Sequence, residues 1–531
     1  MIILVALVSQ MWPPEWWPMY GGVDYLNTHF SPLIGRMLTT PGHREHWLGQ
    51  PMDSGGVETA PMTVNLDADP QLEIVAPVQI GVLDAWDPVS DQLQWRTHLD
   101  AHFFRTTGTM ADVEGDGTKE IIMVGDTFWG YAMYPAGTYC LNSQTGASEW
   151  VFRQAFGTTS AKIIDLDGNG TLEIIVGSKN GTVYCLNGYG GIVWSRYVGG
   201  MADVPVAISD IDGDGRVEIV GATSTTLYAL NHDGTVLWTS TASPGRSAPT
   251  IIPDVSGDGH PDVVHHATAG GVYCHSGLTG AVIWTNSSVG TPGDDVSYGI
   301  CWAGTAAADL NHDGTWEVVT TQIASPMLWS LNARTGAANW SISIPTTYGV
   351  HVAVSLFDVD GDNDIEIAVG GCCNIPETLR VYNPNGTILW KKTFDYAHDI
   401  HDPANADIDG DGCAELIVGT YDVSSNHNSV FVLDDGYATN CGILGQWEEH
   451  EPFPEARIRF SGGALEVILP RDGWTKLSIY DATGRLVGNL ADAPMSSGTY
   501  TFNLPEDLAG GVYNAVLIEP GGSRSARIVI R

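Results

Sequence analysis

Two markers recur in phase eight times along this 531-residue chain, and that recurrence restricts its folds more than any other feature. The first is an acidic loop, seen most fully in Asp210-Ile211-Asp212-Gly213-Asp214-Gly215-Arg216-Val217-Glu218-Ile219-Val220, which runs straight into an apolar strand. Copies start at Asn65, Asp112, Asp165, Asp210, Asp254, Asp309, Asp358 and Asp407. The second marker is an apolar strand, a turn with Gly or Asn, and a Trp: Trp95, Trp150, Trp194, Trp238, Trp284, Trp340, Trp390 and Trp447. Periods of about 45 to 55 residues indicate a propeller or a solenoid, and a β-solenoid would need shorter coils.

Each unit reads as four short antiparallel strands, the composition of a propeller blade. In the fourth unit strand A is Pro205–Ser209 and strand B is Glu218–Gly221, with strand C at Thr226–Leu230 and strand D at Thr235–Trp238. Trp47 precedes Asn65 at the spacing that other Trp residues keep from their next loop, so it reads as an unattached strand D. Pairing of that segment into the last blade closes the ring and removes an exposed sheet edge. The expected fold class is therefore all-β: an eight-bladed β-propeller over 40–447, a linker over 448–455 and a small Ig-like C-terminal β-sandwich over 456–531. The linker is marked by Pro452 and Pro454, and the last segment by alternating strands such as Thr475–Tyr480.

Charge and cysteine content exclude several function classes. The chain carries 62 acidic against 23 basic residues, a net charge of −39, and no basic stripe, so nucleic acid is not an expected partner. The acids cluster in the repeated loops, as metal ligands do. Eight Cys in this length are not a disulfide scaffold. Cys140, Cys185 and Cys274 occupy matching strand positions and read as small buried residues. Cys301, Cys372, Cys373, Cys413 and Cys441 fall outside that pattern and are open to bridging. The apolar Met1–Val8 is too short to span a bilayer, and residues 1–20 read as a candidate secretory signal or N-terminal segment; no transmembrane span follows.

The loop chemistry points to Ca²⁺. Carboxylates or amides at positions 1, 3, 5 and 9 surround a point one cation wide, Gly at position 6 supplies a φ > 0 turn, and all-oxygen ligands select a hard cation. The expected ligands are Asp112, Glu114, Asp116 and Glu120; Asp165, Asp167, Asn169 and Glu173; and Asp210, Asp212, Asp214 and Glu218. The later units supply Asp254, Ser256, Asp258 and Asp262; Asp309, Asn311, Asp313 and Glu317; Asp358, Asp360, Asp362 and Glu366; and Asp407, Asp409, Asp411 and Glu415. Up to about seven ions follow, because the first unit (Asn65, Asp67, Asp69, Glu73) has Pro70 at position 6, whose fixed φ opposes the turn. In the seventh unit Asn363 stands at position 6, and Asn tolerates that conformation best after Gly. The position-9 side chain has a second option, to hydrogen-bond the loop backbone.

On the opposite face the insertions carry the aromatics Phe128, Trp129, Tyr131, Tyr298, Trp302 and Tyr396, a set suited to capturing a glycan or a protein. His102, His351, His398 and His401 each precede an A strand and form the only candidate catalytic set, as a base or a transition-metal site. His265, His266 and His275 lie within strands and read as packed or surface residues.

The acidic loop followed by Glu-Ile-Val resembles the FG-GAP/VCBS repeat, the calcium-loop propellers that include the integrin α head. The Leu331-Asn332-Ala333-Arg334-Thr335-Gly336 turn leading to Trp340 is similar to quinoprotein-type (PQQ-like) propeller repeats. Leu477–Val487, Gly510-Gly511-Val512-Tyr513 and Arg527–Arg531 resemble a type IX secretion sorting domain, which implies export to a bacterial surface or release from it. The expectation is a secreted, calcium-stabilised, cell-surface binding, adhesion or structural module for a glycan or extracellular protein. The alternatives are a polysaccharide lyase-like carbohydrate-active enzyme using the histidines, and a self-associating surface or filament protein.

Overall fold

In the computed structural model, the described residues run from Phe30 to Ile530, apart from 48–56, 67–70, 127–135, 293–303, 346–353, 422–428, 435–456, 505–510 and shorter stretches. The chain divides into two compact units. One comprises Glu15–Ser209 and Glu218–Trp447, the other Met1–Pro14, Asp210–Val217 and Glu448–Arg531. No helix among the described residues is long and apolar enough to cross a membrane.

The eight-bladed propeller is present as expected. Six consecutive sheets, from Met62–Val64 to Ala338–Ser343, have four antiparallel strands in chain order, and two further sheets complete the set. In the fourth blade the strands are Ala207–Ser209, Glu218–Ala222, Leu227–Leu230 and Val236–Ser240. Strands A to C are buried nearly throughout, whereas strand D alternates (Ile192–Tyr197 reads exposed, exposed, intermediate, exposed, intermediate, exposed), as an outer strand with one wet face must. Arg44–Trp47 pairs antiparallel with Ser429–Leu433 from Arg44↔Val432 to Trp47↔Ser429, and so supplies strand D of the last blade. The ring is closed: Ile74, Val78 and Trp86 of the first blade share one buried cluster with Ala404, Ile417 and Val432 of the eighth.

Two strands went unread in the sequence. Phe30–Ile34 adds to the seventh blade, parallel to its strand A (Phe30↔Leu356), so the ring draws on chain before residue 40. Gly371–Cys372 pairs with Asp399 and Ile400 at the inner edge of the eighth blade. The span Asp407–Trp447 is long because strand D comes from the other end of the chain; Trp447 itself lies outside the described residues.

The repeated Trp locks blade to blade. At each described copy, from Trp95 to Trp390, the C–D ladder shifts register, as between Cys185↔Trp194 and Leu186↔Ile192, and such a bulge re-aims a side chain. Trp194 then donates its indole N–H to the His232 carbonyl of the next blade (3.0 Å), and Trp238 does the same to Gly277 (2.6 Å). Trp95, Trp150, Trp284 and Trp340 repeat the contact at Ser143, Gly188, Ala333 and Pro384. The receiving turn needs Gly. At Gly234 φ is +77°, and an added Cβ would sit 2.7 Å from the Trp194 ring. Cys140, Cys185 and Cys274 stand opposite the bulged Trp residues, buried and free, as their matching positions suggested. Cys413 is disulfide-bonded.

Trp238→Phe should lower the stability of the propeller by about 1–3 kcal/mol, because the buried Gly277 carbonyl loses the indole donor and the smaller ring leaves part of its space unfilled. A chemical-denaturation midpoint equal to wild type would refute this docking role.

The C-terminal unit is a sandwich of two sheets. Arg457–Ser461, Ala464–Leu469 and Gly498–Asn503 form one, and Leu486–Met495, Gly473–Asp481, Gly511–Glu519 and Gly522–Ile530 the other. Leu465, Val467, Leu477, Ile479, Ala515 and Leu517 alternate inward to form its core.

Candidate metal centres

Each acidic loop joins strand A to strand B of its blade, and its first Asp organises the backbone. In the fourth blade the Gly213 N–H donates to Asp210 Oδ1 (2.7 Å) and the Gly215 N–H to Oδ2 (3.0 Å). The same pair of bonds recurs on Asp112, Asp254, Asp358 and Asp407. Position 5 accepts the N–H two residues on, as Asp214 does from Arg216 (2.8 Å). Positions 4 and 6 both lie at positive φ, which extends the one-glycine expectation. In the seventh loop these are Gly361 (81°) and Asn363 (82°), and in the sixth His312 (53°) and Gly314 (83°).

The position-9 carboxylate hydrogen-bonds the loop backbone. One oxygen accepts the N–H of position 2, with distances of 3.0 Å for Val113 to Glu120, 2.9 Å for Val359 to Glu366 and 2.6 Å for Ile408 to Glu415. In the third, fourth, seventh and eighth loops the carboxylate also comes within reach of the other ligand oxygens of its loop. Glu366 is fully buried, and its Oε1 has no hydrogen-bond partner; Asp262 Oδ1 is in the same state. Burial pushes the Glu366 carboxyl up to about 9, with Asp360, Asp362 and Asp358 adding repulsion against the Val359 N–H. Burial likewise raises Glu317 and Glu120 to about 7, and Asp360 and Asp262 to about 6.

Four groups bring their ligand oxygens within 4.8 Å of one another: Asp358, Asp360, Asp362 and Glu366; Asp165, Asp167 and Glu173; Asp210, Asp212 and Glu218; and Asp407, Asp409 and Glu415. The carboxylates of the second, fifth and sixth loops are not among these convergent groups. In the fifth, Asp254 accepts the Ser256 hydroxyl and Asp258 that of Ser276, so the acids are partly spent on serines. In the first loop Leu66 donates to Glu73 (2.6 Å), while Asp67, Asp69 and Pro70 lie outside the described residues. An all-oxygen donor set with an orphaned buried carboxylate oxygen fits a hard divalent cation.

The candidate histidines separate into two places. His398 Nδ1 lies 2.8 Å from Asp399 Oδ1, and His401 Nε2 lies 3.7 Å from Asp399 Oδ2. Burial alone would raise the Asp399 carboxyl, but the two neighbouring imidazoles carry it well below the usual carboxylate range. Sequence reasoning missed Asp399, although it stands between the two histidines. His102 sits in the second blade in a bridge to Asp126, which pairs with Lys179; burial lowers its pKa. His351 and the aromatics Phe128, Trp129, Tyr131, Tyr298, Trp302 and Tyr396 lie outside the described residues.

Residues 79–353, just over half of the chain, match the PQQ_2 family model, described as outer membrane protein assembly factor BamB. The chain belongs to this family. No curated protein matches the sequence significantly. Among solved structures, the quinohemoprotein alcohol dehydrogenase from Comamonas testosteroni is similar at 12% identity and a TM-score of 0.58, covering 87% of this chain and 84% of that one. The quinohemoprotein alcohol dehydrogenase ADHIIG from Pseudomonas putida HK5 gives 13% identity and 0.58, with 86% and 84% covered. A europium-containing methanol dehydrogenase gives 14% and 0.53, with 79% and 91% covered. At such identities the likeness is one of fold.

Proposed function

We propose that this protein is a calcium-stabilised propeller that works at an extracellular surface as a binding module for a glycan or an extracellular protein. The observation that carries the calcium part is the convergence of Asp358, Asp360, Asp362 and Glu366 on one point, with the buried Glu366 Oε1 lacking any other partner. Asp165, Asp167 and Glu173, Asp210, Asp212 and Glu218, and Asp407, Asp409 and Glu415 hold further ions. Bound there, a divalent ion turns repulsion between carboxylates into a crosslink of strands A and B; it supplies charge neutralisation and no reaction step. The resemblance of 456–531 to a sorting domain supports export to a bacterial surface. The likeness to alcohol dehydrogenases carries fold and not chemistry, so no quinone step is proposed.

The test is a glycan array and an extracellular-matrix protein panel probed with the labelled full chain, in calcium and in EDTA. Saturable, calcium-dependent capture of one ligand class is expected. A second reading, a polysaccharide lyase, draws on the His398–Asp399–His401 contact, since a carboxylate-held imidazole is a suitable base. Release of an ultraviolet-absorbing unsaturated product from acidic polysaccharides, abolished in His401→Ala, would replace the binding reading with that one.

A further inference from the structure

Between the sixth and seventh blades, beside the acidic loops, lies a cleft of about 510 Å³. That volume is within the roughly 300–1,000 Å³ range of small-ligand sites. We propose that this cleft binds a neutral, hydroxyl-rich saccharide through the side-chain amides of Asn332, Asn339, Asn383 and Asn385. The proposal deepens the binding-module reading and rests on it.

The amides are held by the C–D hairpins with part of each left over. Asn385 Oδ1 accepts the Thr387 N–H (2.9 Å) and hydroxyl (2.6 Å), which leaves its NH₂ unspent. Asn332 Oδ1 likewise caps Arg334 and Thr335, leaving its NH₂. Asn383 does the reverse: its NH₂ donates to Thr387 Oγ1 (2.9 Å) and its carbonyl is left. Asn339 makes one long bond, from Nδ2 to Ser330 Oγ (3.4 Å), and its carbonyl is also left. The lining therefore offers both donors and acceptors on pre-oriented groups. A sugar hydroxyl, which donates one hydrogen bond and accepts two, matches such a set.

The charges argue against other ligands. Among the described residues no lysine or arginine lines the cleft, while Asp313, Glu317, Asp362 and Asp364 do, so an anionic ligand meets repulsion. An apolar ligand would strand the amides. The carboxylates are largely engaged already. Asp313 accepts from Thr315 and Asn311, Glu317 from Leu310, and Asp362 belongs to the cation group of the seventh blade. Asp313 and Asp364 join no convergent group, so the cleft is not itself a cation cage. Trp340 lines one wall, its indole N–H fixed by the Pro384 carbonyl (2.8 Å).

The experiment uses the full chain in calcium, with the strongest neutral oligosaccharide from the array titrated calorimetrically into wild type, Asn339→Ala and Asn385→Asp. Asn385→Asp keeps the oxygen that caps the turn, removes the donor and adds one negative charge. The fourth blade already carries Asp233 at this place with the same two bonds, 2.9 and 2.6 Å, to Thr235. Each variant is expected to weaken binding about tenfold with an unchanged melting temperature. Saccharide binding that both variants retain would overturn the cleft and leave the binding module standing. Binding only of acidic glycans, of a polyamine or of a protein would do the same. Capture of no ligand of either class would overturn both.

Discussion

Removing divalent ions with EDTA is expected to lower the melting temperature of the full chain by upwards of about 10 °C. Four carboxylate groups converge in the loops. An ion held at about 100 times its dissociation constant adds about 2.7 kcal/mol per site. Four such sites sum to about 11 kcal/mol, and a large domain shifts by about 2–4 °C per kcal/mol. The pH dependence gives a second readout. In the stripped protein Glu366 is held at about 9 and Glu317 and Glu120 at about 7, against about 4.5 when unfolded. A carboxyl raised in the folded state stabilises the fold while protonated, and that contribution is lost as pH rises through its folded pKa. The melting temperature in EDTA should therefore fall between about pH 5 and 9, and calcium should flatten the slope by holding the same groups ionised. Differential scanning calorimetry decides the matter: identical curves in calcium and EDTA would remove the calcium reading. Glu366→Gln should reduce the slope, most of all above pH 7, without emptying the other loops.

Acidification in calcium should destabilise the propeller from the fifth blade. His265, His266 and His275 are all fully buried there. His275 Nδ1 faces the Gly280 carbonyl (3.0 Å) and must donate, so its Nε2 accepts from Ser243 (2.9 Å). Ser243 Oγ then accepts from His265 Nδ1 (3.2 Å), and His265 Nε2 is left buried as a bare lone pair without a partner. The chain of bonds is satisfied only by neutral rings. His266 bridges Thr320 (2.9 Å) and the Gly290 carbonyl (2.8 Å). Burial pushes His265 down to about 3 and His266 to about 4; for His265 the neighbouring His275 and His266 add to the push. A histidine depressed in the folded state is protonated first in the unfolded chain, so stability is lost as pH falls below about 6.5. Two such groups cost on the order of 4 kcal/mol between pH 6.5 and 5. Urea midpoints should drop over that range in wild type and drop less in His265→Gln. Equal pH slopes for the two proteins would refute the assignment.

Much of the candidate site was legible because its chemistry is local. A loop of nine residues carries its own ligands, so Asp358, Asp360, Asp362 and Glu366 stand in the order that makes them converge. Convergence in the second, fifth and sixth loops was not legible, since the order of acids says nothing of what else engages them, as Ser276 does Asp258. Position 4 at positive φ escaped notice because His312 adopts it without being Gly. Asp399 escaped because it fits no repeated motif, although both histidines beside it were singled out.

The order of residues alone determined the all-β class, the number of blades, the place of the acidic loops and the loan of Trp47's strand to the last blade. All of these follow from period and spacing, which a sequence displays directly. Only the tertiary structure decided the parallel addition of Phe30–Ile34, the Trp-to-carbonyl contacts that tie neighbouring blades, the neutral histidine chain of the fifth blade and the cleft between the sixth and seventh. Each of these joins residues tens to hundreds of positions apart. Their partners are set by which blade packs against which, and no local pattern encodes that.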